Sequence, residues 1–218
     1  LMVTASHNPS TDSGVKFFDS KGRKSMPEFE QRVANIVWKI AEREENRDPD
    51  PELCLPDKMV NAERGHRNTL AKRFEGIAAD LEIDSEGIDW IDILGTPELL
   101  LDSSGGAATE WFAAGLARRG IPFREVSNAD LPLNEDCGAG NLSPTDSWTW
   151  NEMQTNEHRL LNALGNLHQS RPPTSGSLIG AALDGDGDRC LLIESTNEGA
   201  KVVDGDQMAD DLIRAWVA

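Results

Sequence analysis

Leu99-Leu100-Leu101-Asp102-Ser103-Ser104-Gly105-Gly106 runs from three leucines into a polar, glycine-rich turn. A short apolar run bounded by turn formers reads as a strand buried on both faces. A helix over about 108–119 follows, stopped by Gly120 in the position after its C-cap, where a left-handed backbone suits glycine. Residues 122–126 read as the next strand. Strand, glycine-rich turn, helix, strand is the order of an α/β unit with a parallel sheet.

Downstream, 138–150 read as loop, 151–169 as helix and 170–177 as a Pro/Ser/Gly linker. Two further strands, about 178–183 and 190–194, flank an acidic loop. Upstream, Leu1-Met2-Val3-Thr4 reads as the end of a buried strand with no turn before it, so the chain is expected to be a fragment. A polar loop at 5–14 leads to a second strand at 15–18. Ser25-Met26-Pro27-Glu28 reads as a capping box, with Ser25 as N-cap and Glu28 reaching back. The helix it opens, about 26–45, turns Phe29, Val33, Ile36, Val37 and Ile40 inward. Residues 48–62 are a Pro/Asp-rich loop, and a helix at about 66–82 aligns Leu70, Phe74, Ile77 and Leu81. Because strand–helix alternation sets in from about 97, a boundary between 84 and 97 is expected, dividing the chain into 1–90 and 91–218, two mixed- or parallel-sheet α/β units of which the first is incomplete.

The 218 residues are 38% apolar and carry 38 acidic against 21 basic side chains, a net charge of −17. That charge repels nucleic acid and anionic membrane, so neither is expected as a partner. The longest apolar runs, 179–183 and 190–193, fall far short of the roughly 18 residues of a membrane span. No basic-then-apolar leader is visible. Cys54, Cys137 and Cys190 form no close pair, which reads as reduced thiols in a cytoplasmic protein. Seven lysines beside 20 aspartates fit either a surface adapted to high salt or an ordinary acidic one.

Two motifs carry chemistry. Thr4-Ala5-Ser6-His7-Asn8-Pro9 places Ser6 on a loop just past a strand end, with Pro9 holding Asn8 extended. A serine there can take a phosphoryl group if nearby charge stabilises the transfer. The return strand brings Lys16 into reach as a point charge for phosphate oxygens or a proton carrier. The same pair, Ser6 and His7, also fits a plain polar turn. In Asp184-Gly185-Asp186-Gly187-Asp188-Arg189, three carboxylates alternate with flexible glycines between two apolar runs. Carboxylates so close disfavour one another's charge, and a hard divalent cation such as Mg²⁺ relieves that cost. An EF-hand fails here, since its sixth position would be Arg189 and its twelfth Ser195. Arg189 suits a phosphate better than a metal.

Together, T-A-S-H-N-P and D-G-D-G-D-R, about 178 residues apart with an α/β unit between, resemble the α-D-phosphohexomutase superfamily. Ser13-Gly14-Val15-Lys16-Phe17-Phe18, Leu101-Asp102-Ser103-Ser104-Gly105-Gly106-Ala107 and Val203-Asp204-Gly205-Asp206-Gln207 are similar to further segments of that family. Asn134-Glu135-Asp136-Cys137-Gly138-Ala139-Gly140 resembles the N-x-x-C-G-S-T stretch typical of phosphoglucosamine mutases, departing from it at Ala139 and Gly140. Phosphomannomutase and phosphoglucomutase stay open.

The resemblance implies an isomerase that moves a phosphoryl group between the 1- and 6-positions of a hexose phosphate, with glucosamine phosphate the expected substrate. Ser6 would be a phosphoserine and a hexose bisphosphate the intermediate. It implies Mg²⁺ held by Asp184, Asp186, Asp188 and Ser6. Lys16 and His7 join Ser6 as catalytic candidates, and Arg189 is the phosphate-binding one. It also implies four domains, of which this chain matches the later part of the first and most or all of the second. The sugar-reading and Arg/Ser phosphate loops of the missing domains of the same polypeptide have no counterpart here, so the isolated chain is expected to be inactive. The competing reading is a non-catalytic α/β module that binds Mg²⁺ or phosphate and acts through a partner.

Other residues read as structural. Gly105-Gly106 could seat a phosphate at a helix start or permit close packing. His66, His158 and His168 read as solvated, and Trp111 and Phe112 as core. Trp148 and Trp150 read as cover for a cleft or for an open interface.

Overall fold

The computed structural model describes residues 2–4, 6–19, 21–41, 62–83, 87–128, 130 and 132–217. It divides into two compact units, Leu1–Thr4 with Ser13–Leu70, and Ala5–Asp12 with Ala71–Ala218.

In the first unit β1 (Met2–Val3) pairs antiparallel with β2 (Val15–Lys16), Met2 opposite Lys16. Gly14 is required there, because a Cβ would lie 2.6 Å from the Thr4 carbonyl oxygen. The expected strand thus forms, but it is not buried: Met2 is 36% and Val3 77% exposed. Helix α1 (Pro27–Ala41) starts with proline in its first turn, where the missing N–H costs nothing. The Phe29 and Glu30 amides reach the Met26 carbonyl, and the Ser25 hydroxyl meets Glu30 rather than Glu28, so the expected capping box is replaced by a neighbouring contact. Phe17 and Phe29 meet edge to face at 5.9 Å. Ile36 and Val37 are exposed, since the two-stranded sheet is too small to cover the apolar stripe of α1. The expected loop at 48–61 lies outside the described residues. Helix α2 (Ala62–Asp80) begins four residues earlier than its apolar spacing suggests and crosses from one unit into the other.

The second unit is built on a six-stranded sheet. Its strands are β3 (Leu99–Asp102), β4 (Phe123–Glu125), β5 (Ser147–Thr149), β6 (Leu178–Leu183), β7 (Cys190–Ser195) and β8 (Gly199–Val203), in the spatial order β4-β3-β6-β7-β8-β5. β3 runs parallel to β4 and β6; the β6–β7, β7–β8 and β8–β5 pairs are antiparallel. The α/β class therefore holds, with a mixed sheet. Period-2 alternation deals the strand residues to two cores. Leu100, Ile179 and Ile193 face α5 (Trp150–Gln154) and α6 (Arg159–His168). Leu99, Leu101, Ala181 and Leu183 face Trp111, Phe112 and Leu116 of α4 (Trp111–Arg118). Leu100 and Leu101 are wholly buried, each worth about 2 kcal/mol in area removed from water.

Several elements depart from the periodicity. The span expected as one helix at 151–169 is two, because α6 doubles back on α5. Gly165 allows the approach, a Cβ there falling 2.5 Å from the Gln154 amide nitrogen. A true capping box, Thr149 with Glu152, starts α5. The expected loop at 138–150 contains a 3₁₀ turn (Ala139–Asn141) and β5, whose three residues are too few to show alternation. Short α3 (Trp90–Leu94) starts at the Asp89 cap and ends at Gly95, and Trp90 Nε1 donates to the Arg119 carbonyl at 2.7 Å. The Arg119 guanidinium in turn lies 4.0 Å over the Phe74 ring. Helix α7 (Gly205–Val217) follows β8, its first turn held by the Asp204 carboxylate on the Gln207 amide. Trp150 and the two later histidines correct their readings: Trp150 is core, and His158 and His168 are each 5% exposed. Trp148 packs against the same core, whereas Trp111 and Phe112 pack as expected.

Among the described residues no helix is long and apolar enough to cross a membrane.

Candidate active site

The site lies at the carboxyl ends of β3 and β6, where open α/β sheets place ligands. Asp184 leaves β6 and Arg189 enters β7, so the acidic loop is the tip of an antiparallel hairpin closed by the Leu183–Cys190 pair. The Asp184 amide donates to the Arg189 carbonyl, and Gly187, with φ of +73°, turns the chain back. Asp184 is wholly buried and fully engaged. Its Oδ1 accepts the backbone N–H groups of Asp188 and Arg189, both at 3.1 Å, and its Oδ2 accepts Arg189 Nε at 3.0 Å.

The serine loop belongs to the same unit. The Ser6 hydroxyl donates to Asp184 Oδ2 at 2.9 Å and also faces Asp186 Oδ1 at 3.4 Å. Ser6 holds a left-handed φ of +55°, uncommon outside glycine and typical of residues held by their surroundings. Asp184, Asp186 and Asp188 each offer a carboxylate oxygen within 4.8 Å of the others. Oxygen-only donors converging at that spacing fit a hard divalent cation, whose charge would offset their mutual repulsion.

A second tier of polar residues supports both loops. Ser104, also left-handed, donates its hydroxyl to the Leu183 carbonyl at 2.5 Å, just before Asp184. Gly106 packs on the acidic loop, where a Cβ would come within 2.3 Å of the Gly185 carbonyl oxygen. Close packing is therefore the role of Gly106. The wholly buried Asp102 accepts the Ser104 and Gly138 amides, at 2.9 and 2.8 Å. His158 Nε2 lies 3.1 Å from the Gly138 carbonyl and 4.0 Å from Asp102. Cys137 is buried beside them, and burial together with the Asp102 charge pushes its thiol up to about 11. Burial also raises the Cys190 thiol to about 11.

The structure thus brings Ser6, the three aspartates and Arg189 together within one unit. His7 is exposed, its Cβ against Gly140, where a side chain at that glycine would come within 2.7 Å. Lys16 belongs to the other unit, on β2 opposite Met2. Asp102, Asn134 and His158 escaped the sequence reading as site residues. The signal for Asp102 was its place at the end of a buried strand.

Residues 1–44 match the family described as phosphoglucomutase/phosphomannomutase, alpha/beta/alpha domain I. The chain is 28% identical over 211 residues to a phosphoglucosamine mutase of Corynebacterium aurimucosum, covering 95% of this chain and 37% of that protein. A phosphoglucosamine mutase of Brucella anthropi is 27% identical over 221 residues, covering 100% of this chain and 40% of its own length. One from Campylobacter fetus is 28% identical over 210 residues, 95% of this chain and 38% of that protein. No solved structure matches the chain. The chain is thus similar, along nearly its whole length, to members of the α-D-phosphohexomutase superfamily. These relatives are phosphoglucosamine mutases, and the chain spans about two fifths of their length.

Proposed function

We propose that the chain carries the phosphoserine and metal portion of a phosphohexomutase, acting on a hexose phosphate, glucosamine phosphate by the names of its relatives. The observation that carries this reading is the Ser6 hydroxyl seated on the Asp184 and Asp186 carboxylates. Ser6, once phosphorylated, donates its phosphoryl group to a hydroxyl of the hexose monophosphate. The Ser6 Oγ–P bond breaks, a sugar O–P bond forms, and the hydroxyl proton leaves to a general base, for which Lys16 is kept as the candidate from its place in the sequence. The bisphosphate then returns its other phosphoryl group to Ser6.

Asp184, Asp186 and Asp188 with the Ser6 oxygen would hold Mg²⁺, which when bound supplies charge neutralisation during transfer. Arg189 now neutralises the buried Asp184. Were that carboxylate engaged by a cation, Arg189 would be the residue placed to hold the phosphate. His7 is kept as a catalytic candidate with no step assigned. The substrate is a hexose phosphate or bisphosphate in the cytoplasm, with no nucleic-acid or membrane partner. The further domains expected of the same polypeptide would read the sugar, so these 218 residues alone accept a phosphoryl group without turning over.

The test is to incubate the chain with Mg²⁺ and a hexose 1,6-bisphosphate and to locate the phosphoryl group by peptide mass spectrometry. Phosphorylation at Ser6, lost in Ser6→Ala and in Asp186→Asn, is expected. No phosphoryl transfer to Ser6 would leave the chain a binding module. Multiple turnover of a hexose 1-phosphate would refute the expected inactivity of the isolated chain.

A further inference from the structure

We propose that Asn134 is the positioning residue that sets Ser6 over the acidic loop, an inference that rests on the phosphoserine reading of the same site. The Asn134 side-chain amide spends both of its hydrogens on the serine loop. Nδ2 donates to the Ser6 carbonyl at 2.8 Å and to the Asn8 carbonyl at 2.9 Å, clasping the loop on either side of His7. The same amide abuts the acidic loop. A Cβ on Gly185 would lie 2.7 Å from Asn134 Nδ2 and 2.5 Å from the Ser6 carbonyl oxygen. One side chain therefore touches both loops that carry the chemistry.

Asn134 is itself held firmly. It is 6% exposed and adopts φ of +60°, a conformation asparagine tolerates better than most residues. Its carbonyl accepts Asn141 Nδ2 at 2.8 Å. Asp136 and Gly138 also have positive φ, so 134–138 is a tightly curled seat, fastened at Gly138 by Asp102 and His158. Asn134 Oδ1 is buried and finds no hydrogen-bond partner among the described residues. A packing asparagine would satisfy both ends of its amide; this one leaves its oxygen unmet and commits its nitrogen to the serine loop. With Ser6 in a left-handed conformation, its own backbone does not favour the geometry that points Oγ at Asp184, and the clasp supplies the constraint.

Two variants separate the amide from the turn. Asn134→Gly keeps a positive φ at no strain but removes the amide, and Asn134→Asp keeps the size but can only accept hydrogen bonds. The readouts on the full 218-residue chain are backbone ¹⁵N order parameters, Mg²⁺ affinity by calorimetry and the rate at which a hexose 1,6-bisphosphate phosphorylates Ser6. In the unaltered chain Ser6, His7 and Asn8 should be as rigid as the sheet, at about 0.85; in both variants they should fall below about 0.6. The order parameters of β6–β8 should stay unchanged, while Mg²⁺ binding weakens because the Ser6 oxygen is one of its ligands, and Ser6 phosphorylation slows by about tenfold or more, the effect of losing two positioning hydrogen bonds. Rigid Ser6–Asn8 amides in Asn134→Gly would overturn the proposal. So would a loss of order spread through β6–β8, which would make Asn134 a general structural residue. If the unaltered chain takes no phosphoryl group the mutase reading fails, and the order parameters alone still decide whether Asn134 holds the loop.

Discussion

Arg189 and Ser6 share one acceptor: Asp184 Oδ2 takes the guanidinium Nε at 3.0 Å and the serine hydroxyl at 2.9 Å. The arginine side chain is 48% exposed, whereas the carboxylate has no exposure at all. A buried carboxylate needs a counter-charge, and Arg189 supplies it from the solvent side. Any cation entering the acidic loop must compete with that guanidinium.

Arg189→Met should therefore tighten Mg²⁺ binding severalfold and, without metal, cost about 1 kcal/mol of stability, the value of a half-exposed charged hydrogen bond. Calorimetric titration with Mg²⁺ and melting with and without metal check both. Unchanged or weaker Mg²⁺ binding would show that the ion pair does not compete.

Gly106→Ala forces a methyl group toward the Gly185 carbonyl oxygen, 2.3 Å away, beside the bond from the Ala107 amide to that same oxygen. Backbone lies on both sides, so the acidic loop must shift. A loss of about 1–3 kcal/mol with weakened Mg²⁺ binding is expected. Gly115→Ala on α4, where a Cβ meets nothing within 4 Å, is the control and should gain up to about 1 kcal/mol. Equal behaviour of the two variants would remove the packing argument.

His168 sits in the core against Trp150, ring centroids 5.8 Å apart, and burial lowers its pKa below the ordinary 6.5. The unfolded chain then binds a proton more readily than the folded one, so stability rises with pH through this window. The His168 share is intact above about 6.5 and is lost progressively as the pH falls toward the lowered value. Melting temperatures from pH 7.5 down to 5.5 should fall less steeply in His168→Phe than in the unaltered chain. Parallel curves would mean that this histidine carries none of the acid sensitivity.

A net charge of −17 repels itself most strongly at low ionic strength. Raising potassium chloride from 0.1 to 1 M shortens the screening length from about 10 to about 3 Å, and the melting temperature should rise. A flat response would exclude salt adaptation of the acidic surface.

The α/β order was readable because β3 and β6 are apolar on both faces and each ends at a sharp polar turn. Asp184, Asp186 and Asp188 were readable because acids alternating with glycine between two strands have no cheap solution without a cation. What escaped was set by distant contacts. The break before α6 depends on Gly165 meeting the end of α5, and among the described residues β5 pairs with β8 alone. Burial of His158 and His168 comes from the doubled-back helices, which no local spacing shows. The apolar stripe of α1 reads as inward-facing from periodicity, yet periodicity is silent on whether a partner of sufficient area exists. Asn134 falls within a recognisable motif, but its hydrogen bonds reach residues 126 and 128 positions away, which no local pattern shows.

The bond between Ser6 and Asp184 joins residues 178 positions apart, which has a consequence for the order of assembly on the ribosome. At about 5–20 residues per second, roughly 10–40 seconds separate the synthesis of the serine from that of the aspartate that receives it. Through that interval the serine loop has no acidic hairpin to dock on. Completion of this site is a late event in the life of the nascent chain, timed by translation of the β6–β7 hairpin rather than by the folding of the serine loop itself.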